Sequence, residues 1–515
     1  MTKRPKKFMV IGAGVNGLVA ANYLARAGHQ VTLLESKAKV GGACTSDLAL
    51  VDGVEQEYPL GATTLGLMQG FVWEETGLAN RLHGEGVGAP ALAFFPGIQK
   101  PACFYQDVTR LSQELAEKWG EKGDLVAYYA DLERVTDYLQ SGYRKGQPPT
   151  VAEATAVLGA DLTERWIIGS AKELLDHYLT ADQTKLEIAQ NVSESGPVSL
   201  FEPYSAFIIP IMNSGSVFGG DYGYIRGGIW QVSHELCRIN RELGVEIFIS
   251  SSVQEVDPNS GTVRFETPVG SKNLYADHII FATDPQTAAN LTGDSPLVER
   301  TRKERVLGTS GKLNLMFRNP VRWKQNSDHP KSDAAFRYFF AVDSMADFES
   351  ATHAVLNKEI FAPGFYQVYC EGAALRHMGA AERFDRLTVF FKNLALDHTG
   401  DQLAEVEAEV KRVIFEHVVN PEDCVWSRLL SPRDLQQTFG FPGGNIEHTM
   451  LVAGQTFFER QYADDPSRRF YQFGRFENLS ICGSSTYPCG SVTGTPGYMC
   501  VSELLRHMQS GRSST

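Results

Sequence analysis

The stretch FMVIGAGVNGLVAANYLARAGHQVTLLE, from Phe8 to Glu35, decides the fold of this chain. An apolar run leads into glycines at positions 12, 14 and 17, and a run of helix-forming residues leads away from them. Gly28 follows where a helix is expected to stop, and a second apolar run begins at Val31. This order predicts a strand, a tight turn, a helix and a second strand.

The three glycines point to a nucleotide site through backbone geometry. Gly12 permits the tight turn, Gly14 lets the main chain approach a pyrophosphate, and Gly17 lets helix and strand pack closely. Glu35 stands 18 positions after Gly17, close to the spacing at which a carboxylate accepts ribose hydroxyls. The stretch therefore predicts an adenine dinucleotide site, whereas an ordinary glycine-rich turn would leave Glu35 as a coincidence.

Length and charge narrow the class of protein. A chain of 515 residues is long enough for two or three domains. Its 48 basic and 61 acidic residues give a formal net charge of −13, which argues against nucleic acid as a partner. The basic residues Lys3, Arg4, Lys6 and Lys7 indicate either a solvated lead-in or a peripheral contact with an anionic membrane.

Cysteine and histidine spacing argues against a metal or a dithiol centre. The eight cysteines form no CxxC pair, and the histidines form no HxxxH or HExxH motif, so we expect reduced thiols and no metal site. We find no uninterrupted apolar run of membrane-spanning length and no signal-peptide pattern at the start. These features predict a cytoplasmic protein.

The sequence contains a long helical stretch and separate segments with a strand, a loop and a helix. Residues 111–190 show helical spacing and predict a helical lobe, whereas a strand, a small-residue loop and a helix recur near the C-terminus from Leu479. The nucleotide domain is therefore expected to draw on both ends of the chain. We predict an α/β protein with a Rossmann-like domain from residues 1–70, 220–300 and 440–515, and a mixed-sheet and helical substrate domain from residues 71–219 and 301–439.

Five ordered motifs resemble the phytoene desaturase-like oxidoreductases of the flavin amine oxidase superfamily. After the opening stretch they are VGGACTS, YGYIRGGIWQVSHEL, ADHIIFATDP, SPRDLQQTFGFPGGNIEH and CGSSTYPCGSVTGTPG, so the resemblance covers nearly the whole chain. The chain looks most like the soluble branch labelled pyridine nucleotide-disulfide oxidoreductase domain proteins. The resemblance implies FAD as the cofactor, bound in the amine oxidase type of Rossmann-like domain.

The same resemblance implies a set of FAD-binding positions. Two departures stand out, because Ala43 replaces the arginine that many members carry after the double glycine, and Tyr487 replaces a histidine that desaturases often carry. The FAD-binding positions that the motifs imply are Gly12, Gly14, Val15, Asn16, Gly17, Glu35, Ser36, Gly41, Gly42, Ala43, Val253, Gly483, Ser484, Val492 and Thr493.

Catalytic candidates are few. Tyr487, in the loop expected beneath the flavin, either orients the substrate or fills space. His448 either faces the cavity or has its hydrogen bonds provided by the backbone of a turn. Cys44 and Cys489 lie in motifs near the cofactor, where packing is favoured over covalent attachment. Asp221 and Arg226 either close the wall between flavin and substrate or form an ion pair in a turn.

The expected activity is removal of a hydride from a carbon of a mainly apolar organic substrate. Alternatives are an amine oxidase, a flavin-dependent double-bond isomerase and a noncatalytic, FAD-stabilised interaction protein. No second strand-glycine-helix motif provides for a nicotinamide nucleotide, so oxygen, a quinone or another acceptor is expected to reoxidise the flavin. A disulfide reductase is disfavoured because the required cysteine pair is missing.

Overall fold

A computed structural model describes residues 5–510 as a mixture of helices and strands. The strands are β1 Lys7–Ile11, β2 Gln30–Leu34, β3 Ser46–Val51, β4 Val54–Pro59, β5 Gly84–Gly86, β6 Ala91–Phe94, β7 Ala102–Phe104, β8 Gly223–Ile225, β9 Glu246–Phe248, β10 Ser252–Asp257, β11 Thr262–Thr267, β12 Gly270–Tyr275, β13 His278–Phe281, β14 Gly311–Phe317, β15 Arg337–Phe340, β16 Phe365–Tyr369, β17 Asp385–Phe391, β18 Cys424–Leu430, β19 Gln472–Phe473 and β20 Phe476–Ile481.

The helices are α1 Val15–Arg26, α2 Gly70–Glu75, α3 Val108–Trp119, α4 Leu125–Lys145, α5 Val151–Leu158, α6 Ala160–Thr163, α7 Ala171–Tyr178, α8 Asp182–Ala189, α9 Ser205–Met212, α10 Gln231–Glu242, α11 Pro285–Thr292, α12 Ser295–Arg302, α13 Met345–Ala354, α14 Glu371–His377, α15 Gly400–Phe415, α16 Pro432–Phe439 and α17 Thr495–Ser510. Lys3 and Arg4 of the basic lead-in lie outside the described residues.

The first sheet has the order β19-β20-β13-β1-β2-β9. All of its pairings are parallel except that of β19 with β20. β1 is central and almost wholly apolar, which suits a strand covered on both faces. Helix α1 packs against α10 and α17, so the C-terminal helix covers the same sheet as the N-terminal motif.

The second sheet has the order β18-β14-β17-β16-β15-β6-β7. It is antiparallel except where β15 runs parallel to β6. Helices α3 to α8 occupy residues 108–189 without an intervening strand, as the helical spacing of 111–190 predicts. The α/β fold class with a Rossmann-like sheet and a mixed-sheet and helical part is confirmed.

Two local elements differ in detail from the sequence-based expectation. α1 begins at Val15 directly after Gly14, earlier than the run of helix formers, because the turn glycine itself occupies the N-cap position. The apolar stretch SAFIIPIM forms helix α9, in which every residue is buried and Pro210 lies inside the helix. Within residues 5–510, none of the helices has the length and apolar character needed to cross a membrane.

Candidate active site

A single large cavity of about 1460 Å³ brings together residues from both sheets and the helical lobe. We call its part next to the first sheet the cradle, which is lined by Gly12, Gly14, Val15, Asn16, Glu35, Ser36, Gly41, Gly42, Ala43, Val253, Ser484 and Val492. We call its part next to the helical lobe the chamber, which is lined by Tyr128, Tyr129, Glu187, Tyr338, Tyr369 and Phe390. One continuous cavity therefore joins a nucleotide-type site to an aromatic compartment.

The cradle starts at the N-terminus of α1. Gly14 caps this helix in an extended conformation without a side-chain cap, so the first-turn N–H groups have no intrahelical partner. A Cβ at Gly14 would meet nothing within 4 Å, whereas a Cβ at Gly17 would lie 2.0 Å from the Gly12 carbonyl oxygen. Gly14 therefore leaves room at the helix dipole for an anionic group, and Gly17 is required for packing.

Glu35 ends β2 with its carboxylate fixed by the main chain. Oε2 accepts a hydrogen bond from Ala13 N at 2.8 Å, and Oε1 accepts one from Lys37 N at 2.8 Å. The Ser36 hydroxyl donates to Oε1 at 3.3 Å. Since a carboxylate offers about four acceptor positions, Oε2 retains capacity for a further donor such as a ribose hydroxyl.

The double glycine forms another part of the cradle. Gly41 has φ of 117° and Gly42 has φ of 58°, values that favour glycine. A Cβ on Gly41 would lie 2.4 Å from the Cys44 carbonyl oxygen, and one on Gly42 would lie 3.3 Å from the Gly14 Cα. The two glycines therefore let this loop approach the first turn of α1 closely.

The C-terminal loop contributes Ser484 and Val492 to the cavity, and its other two expected positions have framework contacts. A Cβ at Gly483 would lie 2.2 Å from the Thr283 carbonyl oxygen. The Thr493 hydroxyl donates to Leu67 O at 3.2 Å and lies 2.7 Å from the Thr495 hydroxyl. Gly17, Gly483 and Thr493 thus lie outside the cavity lining and position the residues that form it.

The two catalytic candidates lie in different surroundings. His448 lines the cavity in a left-handed conformation (φ 64°), and burial lowers its pKa to about 4. Its Nδ1 has no hydrogen-bond partner among residues 5–510. Tyr487 lies outside the cavity lining and is fully buried, with its ring near those of Tyr143, Phe457 and Phe470.

The environments of the two cysteines disfavour covalent chemistry. Cys44 lines the cavity, its Sγ donates to Ile229 O at 3.2 Å, and burial raises its pKa to about 12. Burial also raises the pKa of Cys489 well above its usual value. Because the thiolate is the reactive form, neither side chain is activated for attachment to a cofactor.

The ion pair considered for Asp221 and Arg226 does not form. The Asp221 carboxylate accepts a hydrogen bond from Gln106 and lines the cavity, while Arg226 Nη2 donates to Gly379 O at 3.5 Å. The two side chains are engaged by different parts of the fold. Asp221 is therefore a cavity residue, as one of the two sequence-based interpretations had it, and the ion-pair interpretation is wrong.

Lys312 is a cavity residue that the sequence analysis missed. It lies on β14, whose seven residues are all buried, and Nζ donates to Pro59 O at 2.6 Å and to Leu60 O at 3.3 Å. Burial lowers the pKa of its amine to about 7. The signal in the sequence was a lysine at the start of an otherwise apolar strand, GKLNLMF.

The chamber residues were also missed. Glu187 lies on the short helix α8, where an isolated glutamate is typical of a solvent-facing position. The neighbouring Glu194 is neutralised by Lys392 at 3.1 Å, and the Tyr369 hydroxyl donates to Gln367 Oε1 at 2.6 Å. Which of these side chains face one space depends on how the lobe packs on the second sheet, and local sequence does not specify that packing.

Comparison with known proteins identifies the family. A model described as NAD(P)-binding Rossmann-like domain matches residues 10–70, and one described as flavin containing amine oxidoreductase matches residues 144–398. Together they cover more than half of the chain. The chain is similar to the flavin amine oxidase superfamily. It is an FAD-dependent oxidoreductase of the phytoene desaturase-like kind, and FAD is its cofactor.

The similarity extends over the full length of several relatives. An uncharacterised protein of Mycobacterium tuberculosis is 26% identical, with 98% of each chain covered. The 4,4'-diapophytoene desaturase of Staphylococcus aureus is 25% identical, with 98% of this chain and all (100%) of the desaturase covered. Pyridine nucleotide-disulfide oxidoreductase domain-containing protein 2 of Rattus norvegicus is 21% identical, with 97% of this chain and 93% of the relative covered.

The solved structures share the fold. Putrescine oxidase bound to putrescine aligns with a TM-score of 0.58 at 14% identity, with 98% of this chain and 99% of the oxidase covered. Cyclohexylamine oxidase from Brevibacterium oxydans aligns with a TM-score of 0.57 at 12% identity, with 99% and 100% covered. The alignments extend over both sheets and the helical lobe of this chain.

The cradle has the chemistry that FAD requires. The buried Asn16 lines it with Oδ1 unpaired among the described residues, so it offers an acceptor to a bound group. The uncapped first turn of α1 and the empty space beside Gly14 suit a pyrophosphate, and Glu35 can accept a ribose hydroxyl. The residues present therefore fit the cofactor.

Proposed function

We propose that this chain is a dehydrogenase or oxidase that removes a hydride from a carbon of an organic substrate with a mainly apolar body. One observation carries this proposal: the cradle and the chamber are parts of the same cavity. Aromatic residues on the helical lobe and the second sheet, including Tyr128, Tyr338 and Phe390, surround the chamber. A substrate held there would share one cavity with the flavin.

FAD supplies the two-electron acceptor when it is bound. The residues of this chain bind and orient the substrate and exclude water. We further propose that residues 1–70, 220–300 and 440–515 form the FAD domain and that the remainder forms the substrate domain. All six strands of the first sheet fall within the first group, which supports the division.

Two basic side chains in the cavity are suited to proton transfer. Lys312 has a pKa lowered to about 7, and a neutral amine has two N–H donors and one lone pair. Since both donors are directed to the carbonyl oxygens of Pro59 and Leu60, the lone pair is left to accept a proton. His448, with a pKa lowered to about 4, is a neutral imidazole at pH 7 with an unpaired Nδ1.

The position of Tyr487 supports a structural role over a catalytic one, because its ring lies outside the cavity lining. For reoxidation we propose oxygen, a quinone or another small acceptor, since the sequence contains one strand-glycine-helix motif for a dinucleotide and no second one. The eight free cysteines are compatible with the cytoplasmic location that the sequence predicts.

An amine oxidase is the second candidate. The match of residues 144–398 to the flavin containing amine oxidoreductase model favours it, as does a carboxylate, Glu187, in the chamber. The desaturase relative favours an apolar hydrocarbon instead. Both reactions remove a hydride from carbon and differ in the group that the chamber must accommodate.

Anaerobic mixing of the FAD-loaded protein with a substrate panel tests the proposal. Bleaching of the oxidised flavin absorbance by at least one organic compound is the expected result, and peroxide release on admitting air would identify an oxidase. Amines and unsaturated hydrocarbons form separate arms of the panel. Product formation only after prior reduction of the flavin would indicate the isomerase instead, and a panel without any response would favour the noncatalytic interpretation.

A further inference from the structure

Glu187 is an unpaired carboxylate inside the chamber. It lies on α8 and lines the cavity, and its side chain makes no hydrogen bond or ion pair within residues 5–510. The two nearby cavity acids are different, because Glu194 pairs with Lys392 at 3.1 Å and Asp221 accepts from Gln106. Glu187 alone of these three lacks a partner, although burying an uncompensated carboxylate is costly.

The surroundings of Glu187 are aromatic. Tyr128, Tyr129 and Tyr338 line the same chamber, and a negative charge on Glu187 adds to the effect of burial in raising the pKa of all three hydroxyls. Burial raises the pKa of Glu187 itself to about 8, with no basic side chain acting against it. The chamber thus combines one acidic group with several π faces, an arrangement that attracts organic cations.

We propose that Glu187, Tyr128, Tyr129 and Tyr338 bind a cationic ammonium group of the substrate. The substrate class would then be an organic cation with an apolar body, held in the chamber by its charged end. This inference rests on the proposed function for the identity of the ligand as a substrate. A carboxylate surrounded by tyrosine rings suits an ammonium group better than a hydrocarbon, which would leave the carboxylate desolvated and unpaired.

Equilibrium binding to the FAD-loaded full chain tests the inference without turnover. Octyltrimethylammonium is the probe and octan-1-ol is its uncharged counterpart, and binding is followed by perturbation of the flavin absorption spectrum. The cation should bind about tenfold or more tightly than the alcohol. Equal affinities for the two compounds would overturn the inference.

Two matched variants locate the effect. Glu187→Gln keeps the shape of the side chain and removes its charge, so it should weaken octyltrimethylammonium about tenfold or more and leave octan-1-ol unchanged. Glu133→Gln, at an exposed position of α4, removes the same charge from the helical lobe and should change neither affinity. The inference is wrong if Glu187→Gln leaves the affinity for the cation unchanged or weakens both ligands equally.

The pH dependence gives a readout that a purely structural role would not produce. Affinity for this permanently charged probe should rise by up to about tenfold per pH unit until Glu187 is ionised near pH 8. The slope should be smaller in Glu187→Gln, in which the Lys312 amine of the same cavity still loses its charge near pH 7. The facing tyrosines have raised pKa values and stay neutral over this range. Of the neighbouring acids, Glu194 stays paired with Lys392, and Asp221, whose pKa is also raised, is present in both proteins.

This design separates the inference from the proposed function. If the cation binds through Glu187 but no compound of the panel reduces the flavin, the hydride-transfer proposal fails and the binding site stands. If neutral compounds reduce the flavin equally well in the parent and in Glu187→Gln, and the cation binds no better than the alcohol, the oxidoreductase stands and the cation site fails.

Discussion

The cradle and the chamber are two parts of one cavity, and they differ in whether backbone or side-chain atoms line them. The cradle is made largely of main chain, with the glycines at 12, 14, 41 and 42 bringing backbone close to backbone. The chamber is made of side chains from the helical lobe and the second sheet. Backbone atoms bind what every member of the family shares, whereas side chains determine which substrate is accepted.

The largest expected effect is in the cradle and comes from adding one methyl group. Gly17→Ala places a Cβ 2.0 Å from the Gly12 carbonyl oxygen, so α1 must shift, and we expect the free energy of unfolding of the apoprotein to fall by about 1–3 kcal/mol. Gly14→Ala meets nothing within 4 Å and keeps an allowed φ of −65°, so its apoprotein should unfold within about 1 kcal/mol of the parent. Both variants should lose FAD.

Chemical denaturation of the apoproteins and the flavin content of the purified proteins measure the two effects separately. The cradle assignment requires that Gly14→Ala lose FAD while its apoprotein stays stable. Normal FAD content in a stable Gly14→Ala protein would show that no part of the cofactor approaches this residue.

The next effect concerns Lys312, which lies on β14 of the second sheet and lines the cavity. Because burial lowers its pKa to about 7, the rate of anaerobic flavin reduction should rise with pH up to about 7 and then level off as the amine becomes neutral. Lys312→Met should lower this rate about a hundredfold or more and remove that limb of the pH profile.

Stopped-flow measurement between pH 5 and about 9 provides the check, with FAD content determined on the same samples. A Lys312→Met protein that is slower but keeps the same pH limb would assign the proton transfer to another group. His448 is the other basic side chain proposed for proton transfer, and its pKa of about 4 would place any limb at lower pH.

The N-terminal part of the cradle could be predicted from sequence because its signals are local, whereas Val253, Ser484 and Val492 were implied only by the family resemblance. Glycines between an apolar strand and a helix, followed by an acid after the next strand, define their geometry within 28 residues, Phe8 to Glu35. Even there, the sequence did not distinguish Gly14, which borders the cavity, from Gly17, Gly483 and Thr493, which stabilise the surrounding framework.

The chamber could not be predicted because it depends on long-range packing. Glu187 on α8 and Tyr338 on β15 are far apart in sequence and face one space only after the lobe packs on the second sheet. Tyr487 lies in the family loop expected beneath the flavin, and its side chain packs into an aromatic cluster with Tyr143 and Phe457. Loop membership does not determine the direction of a side chain.

Replacing Glu35 is expected to have an intermediate effect, on the affinity of the cradle for FAD. Glu35→Ala removes the remaining acceptor position and releases the N–H groups of Ala13 and Lys37. Loss of a charge-assisted hydrogen bond costs about 1.5–3 kcal/mol, so the dissociation constant of FAD should rise roughly 10- to 150-fold. Titration of apoprotein with FAD measures this, and Glu35→Gln, which keeps an acceptor oxygen, should lose less. Recovery of NAD in place of FAD from the parent would overturn the cofactor assignment.

The smallest expected effect is that of Tyr487→Phe. This variant tests whether the Tyr487 hydroxyl lies outside the cavity or contacts the substrate. The tyrosine hydroxyl is buried without a partner among the described residues, and the ring lies 5.9 Å from that of Tyr143 and 6.1 Å from that of Phe457. Removing an unpaired buried hydroxyl while keeping the ring should leave the rate of flavin reduction within about twofold of the parent and should not lower stability. A tenfold or greater fall at unchanged FAD content would place the hydroxyl beside the reacting bond. The aromatic cluster around Tyr487 would then line the chamber. The C-terminal loop would in that case contribute side chains to the chamber as well as residues to the cradle.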